Sequence, residues 1–175
     1  MEAQVTCSHK LVEHFATDDS PFHFTDSGLK NVYLIGIKYF TCECGQIMAE
    51  IPALKQLMCL IAKDLVFCPN SLDGDEFRFL RKRIGTKSAD MAKHLRVDAA
   101  TYSRFENGHQ PPSPQVDLLV RMVYCVFSGD PELMDHCKAV IEALENELRK
   151  RQEEKIITMK ISPDLQWSDI RATAA

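Results

Sequence analysis

Between residues 77 and 110 the chain carries eight Lys or Arg against three Asp or Glu, although the formal net charge of the whole is -4. Such a local cationic field suits a polyanion, and its placement matters more than the total charge. Arg104 has the chemistry of a base reader, because its fork of donors matches O6 and N7 of guanine. Ser103 can reach a base or a phosphate. Ala99 and Ala100 can touch thymine methyls or simply permit close approach. Thr101 and His109 complete the set offered to double-stranded DNA. Lys87 and Ser88, at the expected start of a helix, suit a phosphate through charge and backbone amides. Taken as charge alone, the same run reads first as a solvated basic face.

Those side chains need helices to aim them. Phe77, Leu80, Arg81 and Ile84 share one helical face, and Gly85 stops that helix. Met91, Ala92 and Leu95 mark a second, short helix, Val97 plugs the turn, and Asp98 caps a third helix running to about Glu106. Tyr102 and Phe105, three apart, face the core, which leaves Ala99, Ala100, Ser103 and Arg104 outward. Two short helices with a tight turn and a small residue at their approach describe a helix-turn-helix unit. Asn107-Gly108 ends the third helix, Ser113-Pro114 opens a fourth, and Asp130-Pro131 opens a long one over about 131–154.

The string Thr101-Tyr102-Ser103-Arg104-Phe105-Glu106-Asn107-Gly108 resembles the Thr-hydrophobic-Ser-Arg-Trp-Glu-x-Gly signature of phage-repressor-type (Xre-like) helix-turn-helix regulators, with Phe105 where Trp is usual. The resemblance implies that Glu106 pairs with a first-helix arginine, Arg81, as a structural salt bridge. Lys87-Ser88 stands where the family often has Ser-Gln. Arg96 stands where the turn usually has Gly, which implies strain or a shifted turn. Ser27 to Leu34, Ile51-Pro52 and Phe77 to Lys82 are similar to bacterial regulators with a small β-rich or zinc-ribbon N-terminal domain. Many of these resemble antitoxins encoded beside a ribonuclease toxin. The similarity covers roughly 22–125.

Other chemistry is sparser. Cys42-Glu43-Cys44-Gly45 falls on an expected hairpin and offers two zinc ligands, with Cys7 and His9, or His14 or His23, as partners. A structural zinc site needs four, usually from two C-x₂-C knuckles. Two cysteines of a degenerate ribbon are the other reading. Cys59, Cys125 and Cys137 read as apolar packing. No nucleophile motif, phosphate-cradling glycine loop or H-E-x-x-H helix occurs, so no enzyme is expected.

The chain has 175 residues, 45% hydrophobic and 26% charged, an ordinary globular mix. No apolar run approaches the length that spans a bilayer, and no signal peptide is evident. A cytoplasmic protein follows, its seven cysteines reading as thiols or metal ligands. The expected fold is α+β, with a poorly ordered lead-in over 1–21 and a small β-hairpin-plus-helix domain over 22–67. Short strands over 31–51 precede a helix opened by Pro52 and ending near Phe67, and 68–73 serves as a linker. An all-α five-helix helix-turn-helix domain occupies 73–125. The long helix and tail of 130–175 include a strand near 156–161. The stripe Leu133, Cys137, Val140, Leu144 and Leu148 is a candidate homodimer seam, or a face packed on its own domain. The expected function is a sequence-specific transcriptional regulator, an autorepressor and candidate antitoxin. The alternative is a module that sequesters a partner protein.

Overall fold

A computed structural model describes residues 10–153, 159–161 and 167–169; side chains are described up to residue 146. The chain divides after Gly129 into two compact units. Cys7 and His9 lie outside the described residues.

The first unit opens with β1 (Leu11–Phe15), β2 (Phe22–His23), β3 (Tyr33–Leu34), β4 (Lys38–Cys42) and β5 (Ile47–Glu50). An antiparallel sheet runs β1-β4-β5, and β2 pairs with β3. Leu11 to Phe15, expected within an unpatterned lead-in, instead form an edge strand in register with Cys42 to Lys38. That pairing is long-range, and Leu11, Val12 and Phe15 stay exposed, so no local period announces it. β4 and β5 form the expected hairpin, its turn closed by Gly45 N–H donating to Cys42 O at 2.8 Å. Ala16, Phe24 and Leu29 are buried.

α1 (Leu54–Phe67) ends where its sequence predicts but starts later than Pro52 suggests. The chain enters it through Ala53, held at φ 49, so Pro52 sits in the preceding turn rather than in the helix. Residues 68–73, expected as a linker, are pinned. The buried Arg121 guanidinium donates to the carbonyls of Leu65, Val66, Cys68 and Asn70, and to Asp117 at 2.8 Å. The other Asp117 oxygen accepts from Leu72 N–H at 2.7 Å. One arginine therefore satisfies carbonyls at the end of α1 that have no partner within the helix.

Four helices follow: α2 (Gly74–Arg83), α3 (Ser88–His94), α4 (Ala99–Glu106) and α5 (Pro114–Ser128). Five helices are expected over 73–125, but four stand there; the long helix α6 (Pro131–Glu153) belongs to the second unit. Starts follow local chemistry. Asp73 and Glu76 make a reciprocal capping box on α2, while Asp98 and Ser113 cap α4 and α5. Phe77, Leu80, Met91, Tyr102 and Val120 are fully buried and form the core of the four-helix array.

In the second unit, Leu133 and Cys137 on α6 are buried, whereas Ile141 and Leu144 are 43% and 46% exposed. The side chain of Leu148 is outside the described set. β6 (Met159–Ile161) pairs antiparallel with β7 (Trp167–Asp169), placing a strand within the expected 156–161. No helix among the described residues is long and apolar enough to cross a membrane.

Candidate nucleic-acid interface

α3 and α4 are joined by Leu95-Arg96-Val97-Asp98. Ala92 is buried at the helix approach and Leu95 is buried at the turn. Val97 N–H donates to Ala92 O at 3.0 Å and Arg96 N–H to Lys93 O at 3.1 Å, the pair of bonds that closes a helix with a left-handed residue. That residue is Arg96, at φ 53. The turn has not shifted; a side chain occupies the backbone position that Gly85 and Gly108 fill after α2 and α4, at φ 67 and φ 68.

Asp98 starts α4 by accepting from Thr101 N–H at 2.8 Å and from the Thr101 hydroxyl at 2.5 Å. The Thr101 hydroxyl first, then backbone amides, hold the Asp98 carboxyl below its ordinary value. Thr101 is therefore engaged in the cap. Tyr102 and Phe105 face inward, and Phe105 meets Phe77 at a ring distance of 6.3 Å. Ala99, Ala100, Ser103 and Arg104 all lie on the exposed side. Lys87 precedes α3 as its exposed N-cap residue, Ser88 opens the helix half-buried, and His109 is exposed beyond α4. The exposed face of α4, Lys87 and His109 thus belong to one compact unit.

Behind that face Arg81 and Glu106 form a two-pronged ion pair, Nε to Oε1 at 2.6 Å and Nη2 to Oε2 at 3.1 Å. Their side chains are only 14% and 8% exposed. Arg81 also donates to Thr86 O at 3.0 Å, and the Tyr102 hydroxyl donates to Glu106 at 3.2 Å. Glu106 raises the Arg81 pKa by hydrogen bonding, and burial raises that of Tyr102. The pair ties α2 to the end of α4.

Two contributors were missed at the sequence level. Arg78 donates to Glu106 O at 2.5 Å and to Asn107 Oδ1 at 3.2 Å, while Asn107 Nδ2 donates to Ser103 O at 2.8 Å and to Ser103 Oγ at 3.2 Å. The four-residue step from Ser103 to Asn107 is a helical-neighbour signal, but its partner Arg78 is far away in sequence. Alongside, Gly74 lies so near α4 that an added Cβ would sit 2.5 Å from Phe105 O. The start of α2 therefore abuts the carbonyl end of α4.

Residues 74–130 match a family described as a helix-turn-helix domain. This segment is a helix-turn-helix domain. The match spans less than half of the chain, and it covers α2 to α5 with the link to α6. It supports DNA binding by the segment that holds α2 to α5. Comparison with curated proteins and with solved structures returned no match.

The cysteine hairpin stands apart from the helix-turn-helix domain in sequence. The Cys42 and Cys44 sulfurs lie 3.0 Å apart. Among the described residues no three His, Cys, Asp or Glu side chains converge as metal ligands. His14 contacts Thr41 Oγ1 at 2.8 Å and stacks on Tyr39, and His23 contacts Lys30 O at 2.9 Å and stacks on Tyr33. Each ring thus engages one nitrogen in the domain's own hydrogen bonds.

Proposed function

We propose that this chain is a sequence-specific transcriptional regulator that docks α4 in the major groove of an operator. Supporting this reading is the partition of α4. Its inner face is closed by Tyr102, Phe105 and the Arg81–Glu106 pair, and its outer face presents only small side chains and Arg104. Small residues let the helix approach the base edges, and Arg104 reads guanine. Lys87, Ser88 and His109 hold flanking phosphates, which fix register. A homodimer joined through α6 places two such helices on successive major grooves, and the operator lies in its own operon, where binding represses. An antitoxin is the biological setting we favour.

A salt-dependent titration against the DNA upstream of its own gene, beside a scrambled duplex, tests the reading. A large preference for the native duplex supports it. Equal, weak binding that vanishes with modest salt overturns it.

The exposed apolar side chains of Leu11, Val12, Phe15 and Ile47 on the β-sheet favour a second, compatible activity, the capture of a partner protein such as a cognate toxin. Association with the neighbouring gene's product in the absence of DNA is its test.

A further inference from the structure

We infer that Arg96, in the turn between α3 and α4, grips a backbone phosphate of DNA at the border of the groove that α4 enters. The inference rests on the reading of α4 as the base-reading helix and adds a residue that holds the strand beside it.

The cations of the basic stretch divide into two sets. Arg78 is engaged by Asp75 and the end of α4, Arg81 by Glu106, Arg83 by the Cys59 sulfur and Lys93 by Asp90. Lys82, Lys87, Arg96 and Arg104 are exposed, and their side chains have no hydrogen bond or ion pair among the described residues. Of these four only Arg96 has a left-handed backbone, at φ 53. There a Cβ crowds the following carbonyl. After α2, α4 and α5 the left-handed position is filled by Gly85, Gly108 and Gly129. The bonds that close α3, Arg96 N–H to Lys93 O and Val97 N–H to Ala92 O, use the backbone alone. The turn therefore has no need of a side chain at residue 96. No polar contact of the guanidinium among the described residues offsets the strain. Strain of this kind collects where a side chain serves a ligand.

Position and chemistry name that ligand. Arg96 comes three residues before Ala99, the first residue of α4. It thus lies at the end of the helix that a helix-turn-helix unit directs to the base edges. A side chain just outside that end is placed for the strand bordering the groove, where contacts fix register without reading sequence. Asp98, the nearest carboxylate in sequence, is taken up by the Thr101 amide at 2.8 Å and the Thr101 hydroxyl at 2.5 Å. A guanidinium offers two parallel N–H groups, a match for phosphate oxygens.

The experiment is a salt titration of binding to the upstream duplex and to a scrambled one, with the full-length protein. Wild type is compared with Arg96→Gly, Arg96→Asn, Arg96→Lys and Lys55→Ala, and each is also unfolded in urea. Lys55, exposed on α1, measures the effect of net charge alone. Losing one phosphate contact makes the slope of log affinity against log salt shallower by about 0.9. The expected Arg96→Gly protein is at least as stable as wild type, yet it binds both duplexes more weakly and shows that shallower slope. Its preference between the duplexes is unchanged, and Arg96→Lys keeps the wild-type slope. A wild-type slope in Arg96→Gly overturns the inference, as does an equal change in Lys55→Ala. A loss confined to the native duplex also overturns it, by making Arg96 a reader of bases. If Arg96→Gly loosens the turn, Arg96→Asn decides by the same slope, because asparagine tolerates positive φ. Equal binding of both duplexes by wild type overturns the operator reading, while the slope still decides the phosphate contact. Binding of neither duplex overturns both.

Discussion

Truncating one member of a buried ion pair strands the other, and at Arg81 and Glu106 the stranded group sits beneath the exposed face of α4. Arg81→Ala leaves the Glu106 carboxylate with only the Tyr102 hydroxyl among its side-chain donors. The cost expected from equilibrium urea unfolding is about 3–5 kcal/mol; a change below about 1 kcal/mol contradicts the role assigned to the pair. The Asp98 cap gives a pH signature instead. Its carboxyl is held below the ordinary 3.8 by the Thr101 hydroxyl, so the folded state takes up this proton less readily than the unfolded chain. The stabilisation is complete above 3.8 and is lost as pH falls through the lower folded value. Burial raises the carboxyl of Glu76 and gives the opposite sign, so the comparison must be between variants. The advantage in melting temperature of wild type over Asp98→Asn should shrink as pH falls below 3.8. An advantage that stays constant into strong acid contradicts it.

At the scale of elements, three helices in a row end with the same paired closing bonds, at Gly85, Arg96 and Gly108. Only Arg96 pays the steric cost of a side chain at positive φ, about 1–2 kcal/mol, of which glycine's larger unfolded-state entropy returns part. Arg96→Gly should therefore raise stability by up to about 1 kcal/mol in urea unfolding. A loss would mean that the arginine side chain makes a contact worth more than the strain.

The same elements show what could be read from sequence. The starts of α4, α5 and α6 were legible from Asp98, Ser113-Pro114 and Asp130-Pro131, and the ends of α2 and α4 from Gly85 and Asn107-Gly108, because caps and closing glycines act within four residues. The outward set Ala99, Ala100, Ser103 and Arg104 was legible because Tyr102 and Phe105 define the opposite face. β1 was not, since its partner Cys42 to Lys38 lies across β2 and β3. Nor were the grip of Arg121 on carbonyls of α1 and the 68–70 stretch or the link from Arg78 to Asn107, because neither arginine differs in type from a solvated one. The strain at Arg96 was readable only against a pattern in which glycine is expected.

For the whole molecule, the proposed homodimer needs a seam. Ile141 and Leu144 are exposed three residues apart on α6, a spacing that places them on one helical face. If that face is the seam, Ile141→Asp with Leu144→Asp in the full-length chain should convert a dimer to a monomer in multi-angle light scattering. Operator affinity should then fall steeply, while the secondary structure is kept. A dimer that survives both substitutions assigns the seam elsewhere.

Arg121 carries a consequence for how the first unit comes apart. Its guanidinium closes α1 and fastens the 68–70 stretch to α5, so α1 cannot fray from its C-terminal end without stranding a buried charge. Amide hydrogens of α1 should exchange with deuterium at rates close to those of α5, in a single opening event. α1 and the helix-turn-helix would then be lost or kept together, and a protease attacking the native protein would find no early cut at the junction where sequence alone places a linker.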